Sequence, residues 1–210
     1  MDLTLVVGSK TFSSWSLRPW ILMKQANITF TEVLIPLNQV STRERIKQYS
    51  PSGRIPVLLN GGVQVWDSLA IAEYLHELFP EKELWPKDSA DRALARSVSA
   101  EMHSGFPAMR QQLSMNVTKR LPTPALTDDT QGDLKRVFDI WNECLSRSGG
   151  PFLFGHRFTV ADAMYAPVTT RMTTYSIPLT GLVEKYVHTI AALPAMQEWI
   201  QAAHREGEGS

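Results

Sequence analysis

Three serines stand within four residues, Ser13, Ser14 and Ser16, in the stretch Ser13-Ser14-Trp15-Ser16-Leu17-Arg18-Pro19-Trp20. They fall between an apolar run, Leu3-Thr4-Leu5-Val6-Val7, and the start of an apolar helical pattern. A helix N-terminus has unpaired N–H groups and a partial positive charge, so an acidic group beside it is favoured as its anion. A hydroxyl at that point does one of two things: it caps the helix, or it donates a hydrogen bond to a bound thiolate. The second use is chemistry, because a free thiol has a pKa of about 8.5 and only the thiolate is a good nucleophile. Lowering that pKa by about two units takes roughly 2.7 kcal/mol of differential stabilisation, within reach of one hydroxyl and a helix end.

Two more segments carry polar groups at places where backbone is exposed. Ile55-Pro56 sits between a turn and a strand, and the sequence alone favours a trans bond there, since only about 5–6% of X–Pro bonds in folded proteins are cis. Asp67-Ser68 precedes a helical pattern and reads first as a helix cap; its other use is to hold a ligand carboxylate. A third signal, Phe158-Thr159-Val160-Ala161-Asp162, has capping-box spacing with Asp in place of the usual Glu or Gln, and is structural.

The elements that position these groups alternate in the first eighty residues. Leu3 to Val7 reads as a buried strand; Leu17, Trp20, Ile21 and Met23 fall near helical spacing, and Asn27 stops that helix. A second strand is expected at Phe30 to Leu37 and a short exposed helix at Thr42 to Tyr49. Val57-Leu58-Leu59 and Val63 to Trp66 form a hairpin around Asn60-Gly61-Gly62. The following helix, capped by Asp67 or Ser68, presents Ile71, Ala72, Leu75, Leu78 and Phe79 on one face. That order implies a mixed sheet with helices on both faces.

Pro80 to Ser89 breaks the pattern and reads as an interdomain linker. Beyond it the chain is helical without a convincing strand pair: Ala90 to Met115, a helix opened by Thr127 or Asp128 running towards Gly149, then Thr159 to Tyr175 and Pro194 to His204. The tail from Glu206 is expected to fray. The reading is an α/β domain over residues 1–80, a linker over 81–89 and an all-α domain over 90–210.

Formal charge is balanced, with 21 basic and 21 acidic residues, so no global field draws the chain to nucleic acid or an anionic membrane. No apolar run approaches bilayer length, and Met1-Asp2-Leu3 has neither a basic nor a long apolar segment, so a cytoplasmic location is expected. The sequon Asn116-Val117-Thr118 is then inert. The single cysteine, Cys144, lies in a helical pattern with Val137, Ile140, Trp141 and Leu145, as a buried thiol would. The histidines at 76, 103, 156, 188 and 204 have no ligand spacing, and no metal is expected.

Taken together these segments resemble the cytosolic glutathione transferase family over nearly the whole chain. The resemblance rests on Ser13 to Trp20 after the first strand, Gly53-Arg54-Ile55-Pro56-Val57-Leu58, Trp66 to Leu75, and Phe154-Gly155 with Thr159 to Asp162. It implies a thioredoxin-like N-terminal domain, an all-helical C-terminal domain and glutathione as co-substrate. It also implies a cis Pro56 that turns the Ile55 backbone to the cysteinyl part of glutathione. Asp67-Ser68 would hold the γ-glutamyl carboxylate, with Ser68 the direct contact. Arg54 either binds the glycyl carboxylate or is a solvated loop arginine.

The family it resembles divides by whether tyrosine, serine or cysteine faces the glutathione sulfur; no tyrosine precedes Tyr49 and the N-terminal domain has no cysteine, so the resemblance implies the serine type. The stretch Ser13 to Arg18 is similar to the zeta-class Ser-Ser-Cys-x-Trp-Arg motif, as in a bacterial zeta-like member. Aligning the arginines makes Ser13 the sulfur ligand, with Ser14 its rival; Ser16 is read as the helix cap, with Pro19 in the first turn. The zeta cysteine is Trp15 here, so conjugation of a small electrophile stands beside cis–trans isomerisation of the maleylacetoacetate kind. A wall for the electrophile is expected at Met102, His103, Phe106, Met109 and Arg110. The resemblance further implies a homodimer and a detoxification role, and this fold also serves as a non-catalytic docking module.

Overall fold

The computed structural model describes residues 2–208. The chain opens with β1 (Leu3–Gly8), α1 (Ser14–Gln25), β2 (Thr31–Ile35), α2 (Thr42–Lys47), β3 (Val57–Asn60), β4 (Val63–Val65) and α3 (Ser68–Leu78). A 3-10 turn at Pro80–Lys82 leads into α4 (Ser89–Ser104), α5 (Pro107–Gln112), α6 (Asp128–Ser148), α7 (Val160–Thr174), α8 (Gly181–Ala192) and α9 (Pro194–Glu208). The four strands form one sheet in the order β2-β1-β3-β4, with β1 parallel to β2 and antiparallel to β3, and β3 antiparallel to β4. This is a thioredoxin-like sheet with helices, followed by a helical half.

The strand period explains how the sheet is sandwiched. Successive side chains of a strand point to opposite faces. Leu5 and Val7 accordingly join the main core with Leu17, Trp20 and Ile71, whereas Val6 joins Ile35, Ile46 and Val57 beneath α2. Both faces of β1 are covered, so its sequence is a continuous apolar run and not an alternation. The main core continues without a break from β1 through α1 to Trp141, Tyr165 and Trp199 of the helical half. Helix α1, packed against both α3 and α7, is the shared wall of the two halves.

Several boundaries differ from the sequence expectation for identifiable reasons. The helix expected over residues 90–115 is divided into α4 and α5, because Phe106, preceding Pro107, sits in the left-handed region at φ 63°. Helix α8 was not anticipated, although Val183, Tyr186, Val187 and Ile190 repeat at helical spacing and are buried. Within the segment read as a linker over residues 81–89, Leu84 and Trp85 are buried, and the Leu84 carbonyl accepts the Val160 N–H at 3.0 Å. Fraying from Glu206 is corrected too. Glu206 lies in α9, and its two carboxylate oxygens accept the Lys10 N–H at 3.0 and 2.9 Å. Residues 209 and 210 lie outside the described residues.

The capping reading of Phe158 to Asp162 holds. The Asp162 carboxylate, fully buried, accepts the N–H and hydroxyl of Thr159, the Leu153 N–H and the Tyr186 hydroxyl. Burial pushes its pKa up to about 6, against the lowering effect of those four bonds. Cys144 is buried as expected, and burial pushes its thiol up to about 12, far from a nucleophile's range.

Candidate active site

A tight turn over residues 9–13 delivers β1 into α1. The Ser9 carbonyl accepts the N–H groups of both Phe12 and Ser13, at 3.1 and 2.9 Å. Ser13 is the N-cap of α1, its hydroxyl accepting the Ser16 N–H at 3.4 Å and donating to Ser16 Oγ at 2.7 Å. Ser16, fully buried, takes the Gly8 N–H at 3.0 Å and so ties the end of β1 to α1. This corrects the expectation that Ser16 is the cap. It also moves Pro19 from the first turn into the body of α1, where it cannot donate to the Trp15 carbonyl. Ser14 is the first residue of α1, and its hydroxyl makes no hydrogen bond among the described residues.

A cavity of about 780 Å³ lies between the two halves at this helix end. Arg54, Ile55, Pro56, Asp67 and Ser68 all line it, so the five binding residues expected from sequence meet in one place. Ser13 and Ser14 are not lining residues; the cavity reaches α1 at Trp15, the residue after Ser14. The Ile55–Pro56 bond is cis, as the family resemblance implies, against the trans bond that the local sequence alone favours. The Trp66–Asp67 bond is also cis.

Asp67 is the N-cap of α3: its Oδ1 accepts the N–H groups of Leu69 and Ala70 at 3.1 and 3.4 Å. Its Oδ2 lies 3.0 Å from His103 Nε2 on α4, a bridge between the two halves. Ser68 is buried and its hydroxyl accepts from Arg18 Nη1 at 3.4 Å. The helix end at Asp67-Ser68 therefore has the Arg18 cation behind it, while the Asp67 carboxylate already takes two of its N–H groups. Arg54 is exposed, and its N–H bonds the Ser52 hydroxyl at 3.2 Å.

Arg18, in the sequence only the arginine of the Ser13 to Arg18 stretch, has a larger part in the structure. It is 2% exposed, and its guanidinium lies 4.3 Å from the centre of the Trp15 ring. Arg110 approaches the same ring at 5.1 Å, and His103 meets it edge-on at 5.2 Å. Burial, then the nearby Arg110 and Arg171, hold the Arg18 guanidinium well below its usual pKa, while Asp67 opposes the shift. Its Nε has no hydrogen-bond partner among the described residues. Nothing in the sequence signals this, because the residues come from four separate helices, α1, α4, α5 and α7, and the N-cap of α3. Of the wall expected for the electrophile, only His103 lines the cavity; Met102, Phe106 and Met109 are buried in the core, and Arg110 bonds the carbonyls of Met102 and Gly105. They are packing residues of the α4–α5 corner.

Among the described residues no group of three or more His, Cys, Asp or Glu is arranged to hold a metal ion, and no helix is long and apolar enough to cross a membrane.

Models of the glutathione S-transferase N-terminal and C-terminal domains match residues 12–78 and 124–202, in that order and covering most of the chain. The chain belongs to the glutathione S-transferase family. Its relatives include the maleylacetoacetate isomerase of Rattus norvegicus, 24% identical over 172 residues, which span 80% of this chain and 76% of the relative. Another is glutathione S-transferase 1 of Dianthus caryophyllus, 27% identical over 155 residues, 73% of this chain and 70% of the relative. Among solved structures, a Burkholderia glutathione transferase homolog with bound glutathione superposes with a TM-score of 0.75 at 22% identity, over 98% of this chain and 100% of that one. That likeness is one of fold. In this chain the cis Ile55–Pro56 turn and the α3 N-terminus line the same cavity.

Proposed function

We propose that this protein is a serine-type, zeta-like glutathione transferase that holds the glutathione thiolate at the start of α1 for attack on a small electrophile. The supporting observation is the convergence of Arg54, Ile55-Pro56 and Asp67-Ser68 on one cavity that ends at that helix. The γ-glutamyl carboxylate meets Ser68 and the α3 N-terminus, the cysteinyl backbone pairs with Ile55, and Arg54 takes the glycyl carboxylate. The sulfur then faces Ser13 and the N–H groups of the first turn of α1. Attack forms the carbon–sulfur bond, the leaving group departs with its electron pair, and the thiol proton passes to solvent.

Ser13 is our favoured sulfur ligand. In the protein alone its hydrogen is committed to Ser16 Oγ, so it must swing to the sulfur when glutathione binds, while its oxygen keeps the Ser16 N–H. The uncommitted hydroxyl of Ser14 favours that residue as a second reading. A further reading of the reaction, isomerisation, is favoured by the relatives named maleylacetoacetate isomerase; Trp15 stands where that class has cysteine. The protein acts as a homodimer in the cytoplasm; a monomeric mass at micromolar concentration contradicts the dimer.

Ultraviolet titration of bound glutathione, at the thiolate band, tests the proposal. The wild-type protein is expected to lower the thiol pKa by about two units, and Ser13→Ala to return most of it with a loss of rate approaching a hundredfold. An unchanged titration in Ser13→Ala with a changed one in Ser14→Ala transfers the role to Ser14. A folded protein that does not bind immobilised glutathione refutes the enzyme and leaves the docking module. An aryl halide assayed beside maleylacetone separates conjugation from isomerisation.

A further inference from the structure

A second cavity, of about 870 Å³, opens on the same turn that carries Ser13. Its size suits a small-molecule site. The apolar part is Phe12, Leu34, Pro36, Leu37 and Ala203, and Phe12, next in sequence to Ser13, leaves 48% of its surface exposed. Ser13 does not itself line this cavity, but it follows Phe12 directly, their Cα atoms about 3.8 Å apart, so the turn that caps α1 is also a wall of this cavity. The remaining walls are fastened to the turn. The Leu37 N–H bonds Ser9 Oγ at 2.9 Å, the Thr11 hydroxyl reaches the Ala203 carbonyl at 3.4 Å, and the Thr11 carbonyl accepts the Val117 N–H at 3.3 Å.

The rim is basic. Lys119, His204 and Arg205 line it and are exposed. None of the ion pairs among the described residues involves Lys119 or Arg205. The acidic member of the described lining, Glu206, has both carboxylate oxygens on the Lys10 N–H. A protein with balanced overall charge thus gathers an excess of positive charge around an exposed phenyl ring, beside the proposed sulfur position.

We infer that this cavity seats the electrophile and selects aromatic electrophiles that carry a carboxylate, the ring against Phe12 and Leu37 and the carboxylate against Lys119 and Arg205. The assignment rests on the transferase reading for its chemistry, though not for its binding. In the reaction the thiolate attacks the ring carbon that bears a halide, the carbon–sulfur bond forms, the carbon–halogen bond breaks, and the halide leaves with the electron pair.

The test compares the wild-type protein with the Lys119→Gln/Arg205→Gln double variant on a matched pair, 4-chloro-3,5-dinitrobenzoate and 1-chloro-2,4-dinitrobenzene, with glutathione. The variant is expected to raise KM for the benzoate about tenfold, the effect of losing charge-assisted hydrogen bonds, with KM for glutathione and for the neutral chloride little changed. Phe12→Ala is expected to raise KM for both electrophiles. Binding of the unreactive 3,5-dinitrobenzoate, followed by calorimetry without glutathione, reads the site independently of turnover. Equal effects on the two electrophiles, no effect on either, or dinitrobenzoate binding that the variant leaves intact overturns the inference. If glutathione fails to bind while dinitrobenzoate binding is present and lost in the variant, the transferase reading falls and the anion site stands.

Discussion

Replacing Asp162 by Asn removes one of the two oxygens on which four buried donors converge. Oδ1 takes the Leu153 N–H at 2.9 Å and the Tyr186 hydroxyl at 3.2 Å; Oδ2 takes the Thr159 N–H at 2.9 Å and its hydroxyl at 3.0 Å. The amide keeps one acceptor and turns an NH2 towards two donors, orphaning about two hydrogen bonds. At roughly 1–3 kcal/mol for each buried donor left without a partner, Asp162→Asn should cost about 3 kcal/mol at pH 7. The cost should also depend on pH, and its sign is fixed. The folded pKa, about 6, lies above the unfolded value of about 3.9. Stability from this group is therefore fully present below the unfolded pKa and is lost as pH rises through the folded one. Between pH 4.5 and 7 the wild type should lose about 2 kcal/mol that the variant has not got to lose, so the gap between them widens on acidification. Urea unfolding of both proteins at the two pH values measures this directly, since all other titrating groups cancel in the difference. A gap that is independent of pH, or smaller at pH 4.5, refutes the assignment of the burial penalty to Asp162. A cost below about 1 kcal/mol at pH 7 refutes the hydrogen-bond reasoning.

Two further outcomes are expected. Ser16→Ala orphans the buried Gly8 N–H and should lower stability by roughly 1–3 kcal/mol in chemical unfolding, while the Ser13 cap, accepting the residue-16 N–H, persists; a fully stable variant contradicts the strand–helix tie. Native protein at pH 8 should show no thiol reactive towards a disulfide reagent, and one after unfolding, because Cys144 is buried with its thiol raised to about 12. Stoichiometric labelling of the folded chain contradicts that.

Local chemistry and order along the chain were enough to read most of the fold. The strands, α1, α3 and α6 to within a few residues, and the capping box all follow from periodicity, turn residues and short-range hydrogen bonding, which act over four or five residues. The break between α4 and α5 has its signal in three adjacent residues, Gly105-Phe106-Pro107, and so is legible in the sequence. The five cavity residues were also within reach, because Gly53 to Leu58 and Trp66 to Leu75 keep their order and spacing.

What the tertiary structure decided is which hydroxyls and charges face one another. Three serines of one chemistry divide into a cap at Ser13, an uncommitted hydroxyl at Ser14 and a buried tie at Ser16 only because β1 ends against α1. Arg18 becomes a buried cation behind Ser68 only because α3 and α4 close over it, bringing Met102 and Ser68 to one side chain from residues 84 and 50 positions away. Met102, Phe106 and Met109 have the spacing of a pocket wall, and are core because the corner between α4 and α5 packs them inward. Short-range forces set the elements. The charges and apolar faces those elements turn towards each other are fixed only by packing at long sequence separation, and that packing decides the chemistry of this site.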